Sequence, residues 1–186
     1  SGLTLEATHA MKRSLLLARA RRVKLLITDV DGVLTDGRIV LGSNGLKVKN
    51  FNVQDGFGMV LARQAGLKTA IITAEESSVV TLRARLLHID WVIQSARDKA
   101  LALAKCLKHF KLSAAQAAYI GDDILDLPAL TRVGFSAAVA DAHPEVKRRV
   151  GYITQASGGK GAVRELIELI LKAQGHWPEL LKRYTQ

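Results

Sequence analysis

Short apolar runs alternate along the chain with longer segments in which apolar residues recur every three or four positions. Short runs bounded by turn residues are typical of buried strands, and the longer repeat is typical of helices. The runs predict strands over 24–28, 67–73, 91–93, 117–120, 135–139 and 152–154. The segments between and after them predict helices over 57–65, 77–87, 98–110, 124–133, 144–149 and 162–173. Strands that alternate with helices form right-handed parallel crossovers, so the predicted fold class is α/β, with a doubly wound parallel sheet.

Three segments stand outside this alternation. Residues 1–22 are predicted to form an N-terminal helical extension, and 176–186 a C-terminal tail that packs on another subunit or is disordered. A single domain over residues 23–175 lies between them. Within it, two strand-like pieces around a Gly-Ser-Asn-Gly turn predict a β-hairpin insertion at about 36–51. The hairpin could cover a site as a flap, pair with another subunit, or do both, since a lone hairpin is only marginally stable.

The first predicted strand ends in carboxylates. Asp29 and Asp31 follow the apolar run and lie on one side of the extended chain, and Gly32 lets the chain turn away. Two like charges held a few ångströms apart repel each other, so the arrangement is costly unless something such as a divalent cation compensates it. A pair of solvated loop aspartates is the alternative interpretation of this stretch taken alone.

Polar residues also follow the other predicted strands. Thr73 ends the second strand, Lys99 begins the helix after the third, and Asp122, Asp123 and Asp126 follow the fourth. Taken separately, the threonine could be a cap, the lysine a solvated side chain and the acidic pair an N-cap. Sites in doubly wound sheets lie beyond the carboxyl ends of the strands, so together these residues predict one site.

The chemistry that this set suits is phosphoryl transfer. Carboxylates are ligands that Mg²⁺ prefers, and Asp29 can act as an anionic nucleophile that forms an aspartyl-phosphate. Asp31 can protonate the leaving alcohol and later deprotonate water. The Thr73 hydroxyl and the Lys99 ammonium can hold phosphate oxygens. The acidic residues after the fourth strand can complete and support the metal site: Asp122, then Asp123 and Asp126.

The formal net charge of +10 leaves three interpretations open: nucleic-acid binding, an anionic small substrate, or a solvated basic surface. The basic residues are dispersed and the few aromatic residues are not interleaved with them, so we expect no nucleic-acid partner. No apolar run reaches the roughly 20 residues of a membrane span, so we expect no membrane partner either. The single cysteine, Cys106, cannot form an internal disulfide and suits a cytoplasmic location. Its helical, partly apolar surroundings predict an inert thiol.

The motifs resemble two nested families. The set Asp29-Val-Asp31-Gly-Val-Leu-Thr35-Asp36, Thr73, Lys99 and Gly121-Asp122-Asp123-Ile-Leu-Asp126 resembles the four motifs of the haloacid dehalogenase-like phosphohydrolases. The stretches 51–58, 138–144 and 158–165 resemble the 3-deoxy-D-manno-octulosonate 8-phosphate phosphatases, and the resemblance covers about residues 23–175. It implies a Rossmann-like haloacid dehalogenase fold with a hairpin flap and no separate cap domain.

The resemblance also implies an activity and an assembly. The activity is Mg²⁺-dependent hydrolysis of 3-deoxy-D-manno-octulosonate 8-phosphate, through an aspartyl-phosphate, to the free sugar acid and phosphate in lipopolysaccharide precursor biosynthesis. The assembly is a homotetramer in which the hairpins form a central barrel and a neighbouring subunit helps to close each site. Asp29 would be the nucleophile and Asp31 the acid/base. Asp29, the backbone carbonyl of Asp31 and Asp122 would bind the metal, and Thr73 and Lys99 the phosphate.

The implied substrate-binding residues are the loop Asn52, Val53, Gln54, Asp55 and Gly56, together with Arg83, Lys99 and the position of Glu75. Two positions depart from the pattern. The family commonly has Gly-Arg after the motif threonine, where this chain has Ala74-Glu75, and Val60 replaces an arginine often found in the following helix. Both arginines would be expected near the sugar carboxylate.

These departures leave the sugar open. A related phosphatase of a nine-carbon keto-sugar acid, deaminoneuraminate 9-phosphate, has glutamate at the position of Glu75, so a nine-carbon substrate of deaminoneuraminate or sialate type is the alternative. The loop 54–56 and the stretch 158–165 favour the eight-carbon sugar. A receiver-type signalling domain is a more distant alternative. It would carry adjacent acids on its first strand, whereas here the adjacent pair follows the fourth.

Overall fold

The computed structural model describes residues 5–185, so residues 1–4 of the predicted N-terminal extension and the last residue of the predicted tail lie outside it. The strands are β1 Leu25–Thr28, β2 Val40–Leu41, β3 Lys47–Val48, β4 Lys68–Ile72, β5 Trp91–Ile93, β6 Ala117–Gly121, β7 Phe135–Ala138 and β8 Tyr152–Ile153. The helices are α1 Leu5–Arg21, α2 Val53–Gln64, α3 Ser78–Leu86, α4 Lys99–Phe110, α5 Leu127–Leu130, α6 Pro144–Lys147, α7 Ala162–Ala173 and α8 Trp177–Lys182.

Six of the strands form one parallel sheet in the order β5-β4-β1-β6-β7-β8, which confirms the predicted doubly wound α/β fold. All four residues of β1 are buried, as its aliphatic sequence requires. The chain winds to one side of β1 through β4 and β5, and to the other through β6, β7 and β8. The strand order therefore reverses at β1, and a crevice forms beyond the carboxyl end of that strand.

Two helices differ most from the predictions. Helix α2 begins at Val53 rather than at residue 57, because the side-chain oxygen of Asn52 accepts hydrogen bonds from the backbone N–H groups of Gln54 and Asp55. The helix predicted over 124–133 is instead a 3₁₀ turn, Ile124–Asp126, followed by the short α5. The carboxylate of Asp126 accepts from the backbone N–H of Asp122, and that of Asp123 accepts from the backbone N–H of Ile124. These hydrogen bonds hold the segment in the tighter turn.

The predicted hairpin is present as an antiparallel pair of two-residue strands, β2 and β3, separate from the main sheet. Between β1 and α2, all of which the structure describes, the hairpin is the only insertion, as expected for a chain without a separate cap domain. The apolar side chains of the hairpin are solvent-exposed in the single chain: Ile39, Val40, Leu41, Leu46 and Val48.

The C-terminal tail packs on its own chain, which neither predicted alternative described. The rings of Tyr184 and of Phe57, on α2, pack in a T-shaped arrangement with 5.4 Å between their centroids, and the Tyr184 hydroxyl lies 3.3 Å from the side-chain nitrogen of Gln64. Trp177 lies under the side chains of Arg164 and Lys172 of α7. The N-terminal helix α1 is held by Gln174, which follows α7 and donates hydrogen bonds to the carbonyls of Ala20 and Val23.

A further prediction concerns the single cysteine. Cys106 is fully buried in α4, and burial raises the pKa of its thiol to about 12, which agrees with an inert thiol. Among the described residues, no helix combines the length and the apolar character needed to cross a membrane.

Candidate active site

A cavity of about 360 Å³ opens beyond the carboxyl end of β1. Its lining includes Asp29, Asp31, Thr73, Glu75, Asp122 and Asp123, and Ile39 of the hairpin segment closes one side. The residues predicted at the ends of three strands therefore meet in one place. The parallel sheet brings them together because the carboxyl ends of β1, β4 and β6 all face the crevice.

At the base of this cavity and beneath it lies a group of polar and charged side chains, most of them buried, that we call the strand-end cluster: Asp29, Lys99, Tyr119, Asp122 and Asp126. Lys99 begins α4, yet its side chain is completely buried. Its ammonium lies 3.0 Å from Asp29 Oδ2 and 3.0 Å from Asp126 Oδ1. A fully buried lysine is rare unless its charge is paired, and here two carboxylates pair it.

Asp126 organises the cluster from behind. Its Oδ1 accepts a hydrogen bond from the Tyr119 hydroxyl at 2.7 Å, and its Oδ2 accepts from the backbone N–H of Asp122 at 3.0 Å. The side chain is fully buried, so these contacts hold it rigidly between the end of β6 and Lys99. Asp126 thereby fixes both the ammonium of Lys99 and the turn that carries Asp122.

The carboxylates of the cluster fit a divalent cation. Oxygen atoms of Asp29, Asp122 and Asp126 lie within 4.8 Å of one another. Burial, and then repulsion from Asp126, raises the pKa of Asp29 and that of Asp122 from 3.8 to about 7 in each case. A cation bound among these clustered carboxylates would favour their ionised forms. Asp126 is completely buried and does not line the cavity, whereas Asp29 and Asp122 do, so Asp29 and Asp122 are the better-placed ligands.

Close backbone packing shapes the turn after β1. Gly32 has a φ of +81°, and a Cβ atom there would overlap the carboxylate of Asp122. A Cβ atom on Gly158, in the loop before α7, would overlap the carbonyl oxygen of Gly32. The two glycines therefore let the loops after β1 and before α7 touch directly, with the Asp122 carboxylate beside them.

A hairpin lysine that the sequence reasoning missed also enters the site. The ammonium of Lys49 contacts the carboxylate of Asp31 and lies 2.7 Å from Glu75 Oε2, and only 6% of its side chain is exposed. Lys47 lies 2.6 Å from the other oxygen of Glu75, with half of its side chain exposed. Two features of the sequence could have indicated these contacts. The alternation of the second hairpin strand places Lys47 and Lys49 on one face, and Glu75 replaces an arginine that the family commonly has.

The family of the chain follows from its sequence and fold together. The model of the haloacid dehalogenase-like hydrolases matches residues 67–166. A relative from Escherichia coli K12, "3-deoxy-D-manno-octulosonate 8-phosphate phosphatase KdsC", is 40% identical over 179 residues, which are 96% of this chain and 95% of the relative. The chain belongs to the haloacid dehalogenase-like hydrolases. The receiver-domain alternative is thereby excluded.

Solved structures of other haloacid dehalogenase-like hydrolases agree with this assignment. A superfamily member of subfamily III A from Legionella pneumophila is 40% identical, superposes with a TM-score of 0.92 and covers 95% of this chain and 97% of its own. The 3-deoxy-D-manno-octulosonate 8-phosphate phosphatase from Moraxella catarrhalis, solved with magnesium, phosphate and KDO, is 40% identical. It has a TM-score of 0.90 and covers 91% of this chain and 98% of its own.

The predicted sugar-binding loop does not line the cavity of the single chain. Asn52 caps α2, and Asp55 is buried with its two oxygens accepting from the backbone N–H groups of Gly161 and Arg164, at 3.2 and 2.8 Å. Asp55 therefore caps the start of α7, a support role that the sequence did not reveal. Val53 and Gln54 are the solvent-exposed members of the loop.

Arg83 lies behind the same loop. Its guanidinium donates to the carbonyl of Asn52 at 3.3 Å and stacks on the ring of Phe51 at 5.5 Å. A Cβ atom on Gly56 would overlap this guanidinium, so the glycine makes room for it. The structure thus places Arg83 against the loop, outside the cavity that contains Asp29.

Proposed function

We propose that this chain is a Mg²⁺-dependent phosphatase that hydrolyses 3-deoxy-D-manno-octulosonate 8-phosphate to the free sugar acid and phosphate in lipopolysaccharide precursor biosynthesis. The observation that carries the proposal is the 40% identity, over 96% of the chain, with a phosphatase of this sugar acid phosphate. The strand-end cluster supports it, because a carboxylate, a buried ammonium and clustered metal-type ligands are the groups that phosphoryl transfer requires.

In this proposal, Asp29 attacks the phosphorus and forms an aspartyl-phosphate while Asp31 protonates the leaving sugar hydroxyl. Asp31 then takes a proton from the water that hydrolyses the intermediate. Lys99, 3.0 Å from Asp29 Oδ2, and the hydroxyl of Thr73 at the cavity wall stabilise the charge on the phosphoryl oxygens.

The metal site in this proposal consists of Asp29, Asp122 and the backbone carbonyl of Asp31, with Asp123 and Asp126 as supporting acids. When Mg²⁺ is bound there, it offsets the repulsion between the carboxylates and the phosphate dianion. Asp126 keeps Asp122 in place through the backbone N–H that it accepts from, at 3.0 Å.

The nine-carbon sugar acid phosphate is the second candidate substrate, and Glu75 is the observation that favours it. The glutamate lines the cavity and is paired with Lys47 and Lys49 of the hairpin, so this wall presents two cations held by a carboxylate. A sugar that offers hydroxyl groups at this wall can bond to both signs of charge. In this alternative, Glu75 contributes to the choice of sugar, while Asp29 and Asp31 carry out the phosphate chemistry.

A homotetramer assembled through the hairpins is part of the proposal. The exposed apolar side chains of the hairpin support it, because contiguous exposed apolar groups mark interaction surfaces. In such an assembly a neighbouring subunit would complete the sugar site, with Asn52–Gly56 and Arg83 contributing to the wall. A cytoplasmic location is the last part, and the single unpaired cysteine suits it.

The deciding experiment is a side-by-side measurement of kcat/KM for the eight-carbon 8-phosphate and the nine-carbon 9-phosphate, with Mg²⁺ and colorimetric phosphate detection. A higher kcat/KM for the eight-carbon substrate supports the proposed function, and the reverse order supports the second candidate. Absence of turnover on every phosphosugar acid, with protein shown to be folded by circular dichroism, would contradict the phosphatase assignment.

A further inference from the structure

Tyr119 belongs to the strand-end cluster, and the proposed reaction does not use its buried hydroxyl group. It lies in the middle of β6, is completely buried, and points toward the catalytic edge of the sheet. Its hydroxyl donates to Asp126 Oδ1 at 2.7 Å and accepts from the ammonium of Lys99 at 3.1 Å. A tyrosine hydroxyl can donate once and accept at the same time, so it bridges these two charged groups.

The Lys99 ammonium has more acceptors within reach than it has hydrogens. The ammonium of Lys99 has three hydrogens and four acceptors within reach: Ile72 O at 2.8 Å, Asp29 Oδ2 at 3.0 Å, Asp126 Oδ1 at 3.0 Å and Tyr119 at 3.1 Å. The Tyr119 proton partly neutralises Asp126 and so weakens the competition of that carboxylate for the ammonium. The ammonium therefore stays 3.0 Å from a carboxylate oxygen of Asp29 as well as from one of Asp126.

We propose that Tyr119 is a positioning residue that holds the Lys99 ammonium on Asp29 by sharing Asp126 with it. This inference rests on the proposed phosphatase activity, in which Lys99 stabilises charge at the phosphoryl group. Without the hydroxyl, Asp126 loses its neutral donor and Lys99 loses its contact with Tyr119, so the ammonium shifts toward the more fully charged Asp126. The ammonium is then aimed away from Asp29 at the moment when charge develops on the phosphoryl oxygens.

The test is the substitution Tyr119→Phe, which removes one oxygen atom and leaves the buried ring in place. Because the aim of Lys99 matters most in the transition state, we expect kcat to fall by about tenfold or more while KM changes by less than about threefold. A hydroxyl with a purely structural role would lower the melting temperature and leave kcat unchanged.

Tyr152→Phe is the matched control. The hydroxyl of Tyr152 also donates to a carboxylate, Glu165 at 2.6 Å, but on β8, away from the cavity. The control should lower thermal stability by a similar amount and leave kcat as in the wild type. Equal kcat values for the two variants, or a loss in Tyr119→Phe carried by KM alone, would overturn the inference while the proposed function stands.

A second readout does not depend on the substrate. Orthovanadate adopts the five-coordinate geometry of phosphoryl transfer, so with Mg²⁺ present it should raise the melting temperature of the wild type and of Tyr152→Phe. The increase should be smaller for Tyr119→Phe. If the wild type hydrolyses no phosphosugar acid, the proposed function is wrong. Separately, an equal increase in melting temperature in all three proteins, or no increase in any of them, would overturn the proposed role of Tyr119.

Discussion

The strand-end cluster and the hairpin face each other across the same cavity and are built in opposite ways. The side chains of the cluster are mostly buried, are bonded to one another and lie at or beside the central strands of the sheet. The hairpin has two strands of two residues, its apolar side chains face solvent, and Lys47 and Lys49 connect it to the cavity wall. The cluster makes its contacts within a single chain, whereas the hairpin leaves apolar side chains exposed to solvent.

This difference separates the chemistry from the choice of substrate. Groups that stabilise a transition state must be fixed before the reaction, and burial within a sheet provides that rigidity. Groups that recognise different sugars can lie on an element whose position depends on ion pairs or on a neighbour. Substitutions in the cluster should therefore change kcat, whereas substitutions in the hairpin should change kcat/KM among sugars.

The largest effect is expected for the nucleophile of the cluster. Asp29→Asn should reduce turnover by about 10⁴-fold or more, because an amide cannot attack phosphorus. The amide has the size of the carboxylate, so circular dichroism and melting temperature should show a folded protein. Turnover within tenfold of the wild type, measured by phosphate release, would rule out Asp29 as nucleophile.

A steric pair of substitutions compares the stability of the two regions. Gly158→Ala places a Cβ atom on the carbonyl oxygen of Gly32, so we expect the free energy of unfolding to fall by about 2–4 kcal/mol. Gly45→Ala lies in the hairpin turn, where φ is +80° and no atom is within 4 Å of the added carbon, so only the left-handed backbone is strained and the cost should be about 1–2 kcal/mol. Urea denaturation measures both, and equal losses would contradict the difference in packing.

The two hairpin lysines allow a sharper test of the connection to Asp31. Lys49→Met should lower kcat/KM by about tenfold or more, since its nearly buried ammonium contacts both Asp31 and Glu75. Lys47→Met removes a pair that is half exposed, so kcat/KM should change by less than about threefold. Steady-state kinetics on the preferred phosphate decides, and the reverse order would show that Lys49 does not serve the site.

The smallest effect concerns the protonation of Glu75. Hydrogen bonds from Lys47 and then Lys49 lower the pKa of this carboxyl from 4.5 to about 2. Because the folded pKa is the lower one, the ion pairs contribute stability above the unfolded pKa of 4.5, and the contribution is lost as the pH falls through about 2.

Carbon-13 NMR of the Glu75 carboxyl group should give a midpoint near 2 in the wild type, and a clearly higher one in Lys47→Met. A wild-type midpoint near 4.5 would mean that the hairpin lysines do not reach Glu75 in solution. The activity of Lys47→Met provides the internal comparison, since the same variant is expected to keep most of its turnover.

The sheet and the convergence of Asp29, Thr73, Lys99 and Asp122 could be predicted, because hydrophobic periodicity and strand-end position are local properties of the sequence. The contacts of Lys49, Asp55 and Tyr119 could not. Each depends on which helix or hairpin lies beside which: Asp55 caps a helix that begins more than 100 residues later. The shortened helix after Asp122 was missed because side-chain bonds to the backbone compete with the helical pattern there.

The buried thiol in α4 has a practical consequence for studying the hairpin. Cys106 is the only cysteine in the sequence, and with a pKa of about 12 and no solvent exposure it should not react with maleimide reagents. A fluorophore attached through Ser43→Cys at the hairpin tip would therefore be the single label on an otherwise unaltered chain. Its emission could follow the movement of the hairpin, or its burial by another copy, without first replacing the native cysteine.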